Sequence, residues 1–561
     1  MPDIIQTCRL SGKEFIIDEK DQAFYERIGM PLPTITPDER QRRRMSWRNE
    51  RNFYARKCDM CEKQMISIYD AASPHTIYCN DCWWSDKWEA KDYGQEFDFS
   101  RPFFEQFAEL QLKVPRLALY RKNCENCDYI NHSENDKNCY LCVDIAFCEN
   151  VYHSKWMIKN KDCIDCHNIE NSELCYEVQY QEPGYNNKFS MFSLGCSDSA
   201  FVYYCIHCKD CFMCSNLNRK QYYIYNQYVG KEKYEEFMSK VDLGSYDMIE
   251  HYKREYEKMV QETPKDASVF HQCENCTGDL MDRSKNVHDS YEVVYSEDCR
   301  YCYDAGYMKD CYDTYESAFN CELQYECHGC NNGKYLNFAH VSYDNHDANY
   351  IDTCHNSGNL FGCIGMRHGK YCVLNKQYSK EEYEELVPRI IEHMQNPIQE
   401  NTHASACVEY GEFFPTERSL FGYNETLANN FYPLTKDEAL ARGYKWKDDF
   451  EKEEYQGEVY KLPDNIKDTP DDVCKKVLKC KVTGQAYKII PQELELYRRL
   501  GVALPRRCPN QRFRDRMKLQ NARALWPHTC AVSGKQIMAP YPPDRGDTVY
   551  SHEEFLKMLY G

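Results

Sequence analysis

Four cysteines carry the clearest chemistry in the 561-residue chain: Cys58, Cys61, Cys79 and Cys82, spaced C-x2-C, seventeen residues, C-x2-C. Each C-x2-C makes a tight knuckle whose two thiolates converge on one ion. Two knuckles on facing hairpins complete a tetrahedron, so the spacing calls for a structural zinc ion as cofactor. A site with four thiolates leaves no open position for a substrate or water, which argues against catalytic zinc. A redox dithiol would need a single pair beside a βαβ pattern, and none is legible. The intervening MISIYDAASPHTIY suits two short strands around a turn.

The chain holds 34 Cys and 47 Tyr. Cys124-x2-Cys127-x11-Cys139-x2-Cys142 also has metal-ligand spacing and is a candidate second site, while Cys205, Cys208, Cys211 and Cys214 run in steps of three. Two readings compete. The cysteines are buried structural thiols stacked in a ladder, or they are ligands for more zinc; iron–sulfur ligation suits the residue type but follows no recognised spacing. An internal duplicate at an offset of 149 bears on the choice, because Cys139 and Cys142 then face His288 and Tyr291, and Cys208 and Cys211 face Ser357 and Leu360. A ladder tolerates such exchanges and a tetrahedral site does not. His207, His271 and His328 beside these cysteines are expected to be ordinary surface or capping residues.

The elements that must position these groups follow from two nested duplications. The chain ends match at an offset of 472 without a gap: Cys8 with Cys480, Tyr25 with Tyr497, Gly29 with Gly501, Arg40 with Arg512, Arg44 with Arg516 and Cys58 with Cys530. The inner pair, 124–230 and 273–380, shares the tetrapeptide CENC and needs small internal shifts to align. Short runs of β-formers between Asn, Asp, Gly and Ser turns suit a solenoid of short strands, about five turns per unit at 20-odd residues each. The expected fold is therefore mainly β with some α: duplicated Cys/Tyr-rich β-solenoid units flanked by duplicated zinc-ribbon-like ends. The domain order is a degenerate ribbon-like module at 1–57, the four-cysteine ribbon and its extension at 58–115, solenoid units at 116–230 and 269–378, a helical connector at 231–268, a helix and irregular connector at 379–470, and a degenerate copy at 471–561. Helices are expected from Tyr234 to about Lys265, from Ser379 with Glu382 at capping-box spacing, and from Thr435 with Glu438. Helices should end at Gly29 and Gly501, and Pro491 suits a first turn.

The stretch CRLSGKEFIIDEKDQAFYERIGMPLPTITPDERQRRR, from Cys8 to Arg44, resembles the probable zinc-ribbon domain widespread in uncharacterised bacterial proteins. Of that family's ligand pattern it keeps Cys8, with Ser11, Thr36 and Glu39 in the other places; the C-terminal copy keeps Cys480 and Cys508, with Thr483 and Gln511. The resemblance implies a ribbon fold that persists with its metal lost. Cys61, Cys79 and Cys82 correspond to Ser533, Ser551 and Glu554, so the C-terminal copy should hold no metal. The whole chain, with its FGYNETLANNFYPLTKDEALARGYKW segment, resembles large zinc-ribbon proteins common in candidate-phyla bacteria, a likeness that implies no activity.

The net charge is −19, unevenly spread. Residues 39–57 carry eight Arg/Lys against two Glu, and residues 474–535 carry fifteen against three acids, leaving −37 for the rest. Arg40, Arg42, Arg43, Arg44 and Arg48 at one end and Arg512, Arg514 and Arg516 at the other interleave with Trp47, Phe53, Tyr54, Phe513 and Trp526. That pattern suits nucleic-acid contact, RNA more than DNA, through phosphates and stacking. The bland alternative is a solvated basic face, or an internal counterpart to the acidic middle. The functional expectation is a non-catalytic, zinc-stabilised binding protein that grips nucleic acid by its basic ends; the alternative is a protein-interaction scaffold using the acidic, Tyr-rich solenoid faces. No P-loop, nucleophile elbow or dinucleotide fingerprint points to an enzyme. A mean hydropathy of −0.79 and the lack of a long apolar run point away from a membrane, and the absence of an export signal points to the cytoplasm.

Overall fold

Every third residue of the middle region adopts a left-handed backbone, in unbroken rhythm from Asn123, Asn126 and Tyr129 through Asn150, His153 and Trp156. A non-glycine residue in that conformation costs about 1 kcal/mol, so the rhythm persists only because each corner is locked by its neighbours. Each left-handed residue turns the chain by a corner, and the residue after it points inward. In a computed structural model, which describes residues 2–396, 410–448 and 454–561, this triplet winds into a mainly β architecture containing a parallel β-solenoid. Glu149 pairs with Lys161, Lys161 with Glu173 and Gly184 with Cys196, so one turn takes twelve residues, four sides of three. The expectation of 20-odd residues per turn is corrected accordingly. The shorter turn follows from corners made by single left-handed residues instead of loops.

Two irregular turns account for the small shifts between the solenoid units. In the second unit Phe270 pairs with Met281 across an eleven-residue turn, and Met308 with Cys321 across a thirteen-residue one. The short turn needs Gly278, since a Cβ there would lie 1.8 Å from the Ser290 carbonyl oxygen. Between these two irregularities the true offset is 148, which places Val287 and Ser290 opposite Cys139 and Cys142.

The chain divides into two units that are not contiguous in sequence: Met1–Ala118 with Val269–Phe450, and Leu119–Ser268 with Glu451–Gly561. In the first, the N-terminal module packs on the second solenoid; in the other, the C-terminal module packs on the first solenoid. The two modules repeat each other element for element. A hairpin (Ile4–Thr7, Glu14–Ile17) leads to helices Glu19–Arg27 and Pro37–Met45 and a second hairpin (Tyr54–Lys57, Gln64–Ser67). The C-terminal counterparts include helices Pro491–Leu500 and Pro509–Met517 and the hairpin of Trp526–Thr529 and Gln536–Ala539. Gly501 ends its helix in a left-handed conformation and Pro491 opens it, as the sequence predicts. The capping boxes at Ser379 and Thr435 form. The helix expected from Tyr234 to about Lys265 is two, Lys231–Met238 and Tyr246–Glu262, because Asp242 and Gly244 interrupt it and Ser245 caps the second. Of the helix and connector expected within 379–470, residues 397–409 and 449–453 lie outside the described residues.

Candidate metal centre

All four hairpins of the two modules are built on one knuckle. In each, the first cysteine's N–H donates to the carbonyl five residues on, and the residue at the fourth place after it donates back: Cys8 with Lys13 and Gly12, Cys58 with Lys63 and Glu62, Cys480 with Gln485 and Gly484, Cys530 with Lys535 and Gly534. The donating residue has φ near +60° to +70° each time, which glycine adopts freely and Glu62 only under constraint. In all four the knuckle faces the N-terminus of a helix whose capping residue donates its N–H to the cysteine sulfur: Cys79 to Cys58 at 3.2 Å, Ser551 to Cys530 at 3.2 Å, Thr36 to Cys8 at 3.5 Å, and Cys508 to Cys480.

Only the hairpin of residues 54–67 completes the set. The sulfurs of Cys58, Cys61, Cys79 and Cys82 all lie within 4.8 Å of one another. The Cys61–Cys79 separation is 3.8 Å. A tetrahedron with metal–sulfur bonds of about 2.3 Å has edges of about 3.8 Å, so the spacing fits a tetrathiolate ion. Cys58 and Cys82 are buried while Cys61 is exposed, so the site sits at the surface with its back to the fold. Burial raises the Cys58 thiol, but N–H donors from Cys61 and Cys79 outweigh it and bring it down to about 7. In the degenerate copies the helix-facing ligand has become a helix cap. The Thr36 hydroxyl accepts from the Glu39 N–H and the Ser551 hydroxyl from the Glu554 N–H. A side-chain hydrogen bond stands at the corner where Cys79 points its sulfur in the complete set.

The second candidate set does not converge. Cys124 and Cys127 occupy inner positions on two neighbouring sides of one turn and Cys139 and Cys142 on two neighbouring sides of the next, and each thiol donates to backbone carbonyls two residues back and nine residues on. Cys127 reaches the Glu125 and Asp136 oxygens at 3.2 and 3.6 Å, and Cys142 reaches those of Tyr140 and Val151, both at 3.3 Å. Among the described residues, Cys58, Cys61, Cys79 and Cys82 are the one group of four cysteines positioned to share an ion. Cys205, Cys208, Cys211 and Cys214 are the four sides of a single turn, all buried. No described cysteine is joined to another in a disulfide. Where no thiol fills the interior, small polar residues bond to the next turn: the Asn187 amide donates to the Cys196 carbonyl at 2.7 Å and accepts from the Ser199 N–H at 3.1 Å. His207 is a left-handed corner, His271 is exposed against Asp282 at 2.6 Å, and His328 is buried in a ring stack with Tyr315 and His340.

The arginines expected to meet nucleic acid are mostly inside. Arg40 and Arg44 straddle Asp313 at 2.8 and 3.2 Å, and Arg44 also meets Glu326 at 3.0 Å, with all four side chains almost fully buried. Arg43 bonds Glu412 at 2.8 Å, Arg42 bonds Glu39 at 2.6 Å, and Arg48 pairs with Glu50 at 2.8 Å and with Glu316. In the other unit Arg516 meets Asp165 at 2.7 Å, and Arg512 bonds the same carboxylate. Burial would raise Asp165, but Arg512 and Arg516 hold it below the usual carboxylate range. Of the eight, Arg514 alone is exposed. Trp47 and Phe513 are buried as well.

This docking is itself duplicated. Arg27 meets Asp310 at 2.9 Å, and its counterpart Arg499 meets Asp162. Phe24 stacks on Tyr312 at 3.8 Å, and the neighbouring Tyr25 has its counterpart Tyr497 edge-on to Tyr176. The arginines are separated by 472 and the aspartates by 148, so the same contacts recur in both units although module and solenoid repeat at different offsets. Two signals in the sequence pointed here: matching Arg positions in the ends, and aspartates at matching corners of the middle. No protein-family model and no curated protein matches the chain.

Proposed function

We propose that this chain is a non-catalytic, zinc-stabilised scaffold that binds other proteins through the outer faces of its solenoids. Zinc is the ion that best suits four thiolates at tetrahedral spacing with no open position. Free thiols throughout the described residues suit a reducing compartment such as the cytoplasm. The basic ends, the reason to favour RNA or DNA, have most of their guanidinium groups engaged by carboxylates of the same unit, so the protein-binding reading is the stronger.

The observation that carries it is a column on the second solenoid. Arg283 lies over Tyr295 at 4.6 Å, Tyr295 stacks on Tyr307 at 4.7 Å, and Tyr307 on Phe319 at 5.6 Å. Tyr307 and Phe319 are 42% and 41% exposed. Rigid, stacked aromatics on a flat surface supply contact area at little entropic cost, and such patches mark interaction sites. Beside them runs a ladder of alternating charge, with Lys285 to Glu274 at 3.2 Å, Lys309 to Glu297 at 3.5 Å and Lys334 to Glu322 at 3.1 Å, which neutralises the face without removing its polarity.

A photo-crosslinking residue at Tyr307 should give a discrete protein adduct in cells that Phe319→Asp suppresses, and purified protein should ignore single-stranded RNA and duplex DNA at low salt. Nucleic-acid binding that falls steeply with salt, with no adduct at Tyr307, would reverse the preference between the two readings.

A further inference from the structure

The duplication supplies an internal comparison at a place the arginine docking does not touch. In the N-terminal module, a carboxylate from the segment 410–414 is held on the first knuckle. Glu412 accepts from Arg9 at 2.5 Å, from the Thr34 hydroxyl at 2.5 Å and from Arg43 at 2.8 Å. Burial would raise this carboxyl, but Arg43 and Arg9 bring it down to about 2. Its neighbours Phe413 and Phe414 pack on Trp47 at ring separations of 6.1 and 5.0 Å. Gly411 approaches so closely that a Cβ would lie 2.2 Å from Pro31.

The C-terminal module keeps the base of this site with a different cover. Lys481 and Arg506 stand where Arg9 and Thr34 do, and the Lys481 N–H donates to the Arg506 carbonyl as Arg9 does to that of Thr34. They line a cavity of about 250 Å³ together with Lys461, Lys479, Leu478 and Tyr487. That volume falls short of the roughly 300–1,000 Å³ of small-molecule sites and suits a side chain better than a cofactor. Two carboxylates reach the rim. Glu454 holds Lys479 at 2.6 Å, and Asp464 stands 3.7 Å from Arg506. Asp464 is otherwise engaged in accepting from the Ser245 hydroxyl at 2.5 Å and the Asp247 N–H at 3.0 Å. Lys461 and Lys481 therefore line the cavity with no ion-pair partner among the described residues, and Tyr246 lies under Arg506 at 4.2 Å. Leu519, which replaces the buried Trp47, is 50% exposed. Asp515, which replaces Arg43, is held by Arg507 at 2.7 Å and by Gln511 at 2.7 Å.

We propose that this cavity receives the glutamate or aspartate side chain of an acidic–aromatic peptide segment of a partner protein, as the N-terminal module receives Glu412 from its own chain. The cations supply the carboxylate contacts, and the exposed Leu519, at the position of Trp47, supplies apolar surface for the flanking aromatic residue. The proposal rests on the reading of the chain as a protein-binding scaffold and names one of its contacts.

The probe is a fluorescein-labelled peptide of sequence YGEFFP, read by fluorescence anisotropy against the full-length protein. Saturable binding is expected, weakened at least tenfold by the double charge reversal Lys461→Glu with Lys481→Glu. Both lysines are exposed, so that variant should keep its fold, which circular dichroism and an unchanged melting curve check. Replacing the peptide's glutamate by glutamine should weaken binding about as much. Three results would overturn the proposal: no binding by the wild type, binding unaffected by the lysine reversals, or equal binding of the glutamine peptide with displacement by inorganic phosphate, which would mean an unselective anion trap. Failure here with an intact adduct at Tyr307 would remove this pocket and leave the scaffold reading standing.

Discussion

Replacing Asp165 by Asn tests the docking of the C-terminal module at its centre. Asp165 is fully buried and bonds both Arg512 and Arg516. The amide fits the same volume but removes the carboxylate that the two buried guanidinium groups share. Removing one partner of a buried ion pair costs about 3–5 kcal/mol, because the other charge stays behind. Here two charges stay behind, but each keeps other partners. Arg516 donates to the His153 carbonyl at 2.9 Å, and Arg512 donates to the Tyr497 hydroxyl at 2.9 Å and stands 3.8 Å from Glu493. The expected loss is about 4 kcal/mol, inside that range. At roughly 2–4 °C per kcal/mol for a unit of this size, its transition should fall by about 8–16 °C in differential scanning calorimetry. Adding Arg512→Met and Arg516→Met should recover most of the loss, since the uncompensated charges are then gone. High salt should not reproduce the effect, because buried pairs are poorly screened. Asp313→Asn is the matching experiment in the other unit. A shift under about 2 °C, comparable to that of an exposed acid such as Glu297→Gln, would refute the claim that these arginines are docking residues.

Other outcomes follow from the same geometry. Cys61→Ser should unfold the hairpin of residues 54–67 and leave the C-terminal module folded, because the free energy of binding at such a site is largely folding free energy; limited proteolysis of the two modules checks it. Inner thiols such as Cys163, Cys205 and Cys302 should resist iodoacetamide until the protein is denatured, since burial keeps them protonated and covered; rapid native labelling read by mass spectrometry would contradict that. Glu412→Gln should lower the melting temperature at neutral pH. Its carboxyl is depressed from 4.5 to about 2, so its stabilising contribution is present above pH 4.5 and shrinks as pH falls toward 2, and the gap between wild type and variant should close over that window. Burial pushes Glu326 up from 4.5 to about 7 despite Arg44, so its contribution has the opposite sign: it is present below pH 4.5 and is lost as pH rises through 7. The margin of wild type over Glu326→Gln in thermal melts should accordingly be widest at acid pH and narrow as pH rises through 7.

How much of this was legible beforehand depends on the range of the interaction. The knuckles were, because C-x2-C spacing is a local constraint and the 472 offset repeats the first cysteine of each knuckle, Cys8 with Cys480 and Cys58 with Cys530. The solenoid was legible as a class. Its twelve-residue turn was not, although the run Cys205, Cys208, Cys211, Cys214 states the three-residue side directly, and the small polar residue before so many cysteines marks the left-handed corner. Spacing that suits two ligands on one knuckle also suits two neighbouring sides of a turn, so for Cys124, Cys127, Cys139 and Cys142 only the duplicate, with His288 and Tyr291 opposite Cys139 and Cys142 at an offset of 149, favoured the thiol ladder over more zinc. The arginines misled for a different reason. Their sequence neighbours are basic and aromatic, as in a nucleic-acid surface, while their partners lie some 270 to 350 residues away, as Arg40 with Asp313 and Arg516 with Asp165. Nothing within a local window distinguishes a charge awaiting a phosphate from one already paired. The duplication did hold that information, since aspartates at matching corners of both solenoids face arginines at matching helix positions in both modules.

The most direct test of the account is a count of bound metal. Native mass spectrometry and elemental analysis of full-length protein from zinc-replete cells should give about one zinc per chain, lost together with the native state of the hairpin of residues 54–67 when Cys61→Ser is introduced. Three or more zinc ions per chain, retained in that variant, would mean that the solenoid cysteines are ligands, and would contradict an interior built of free thiols.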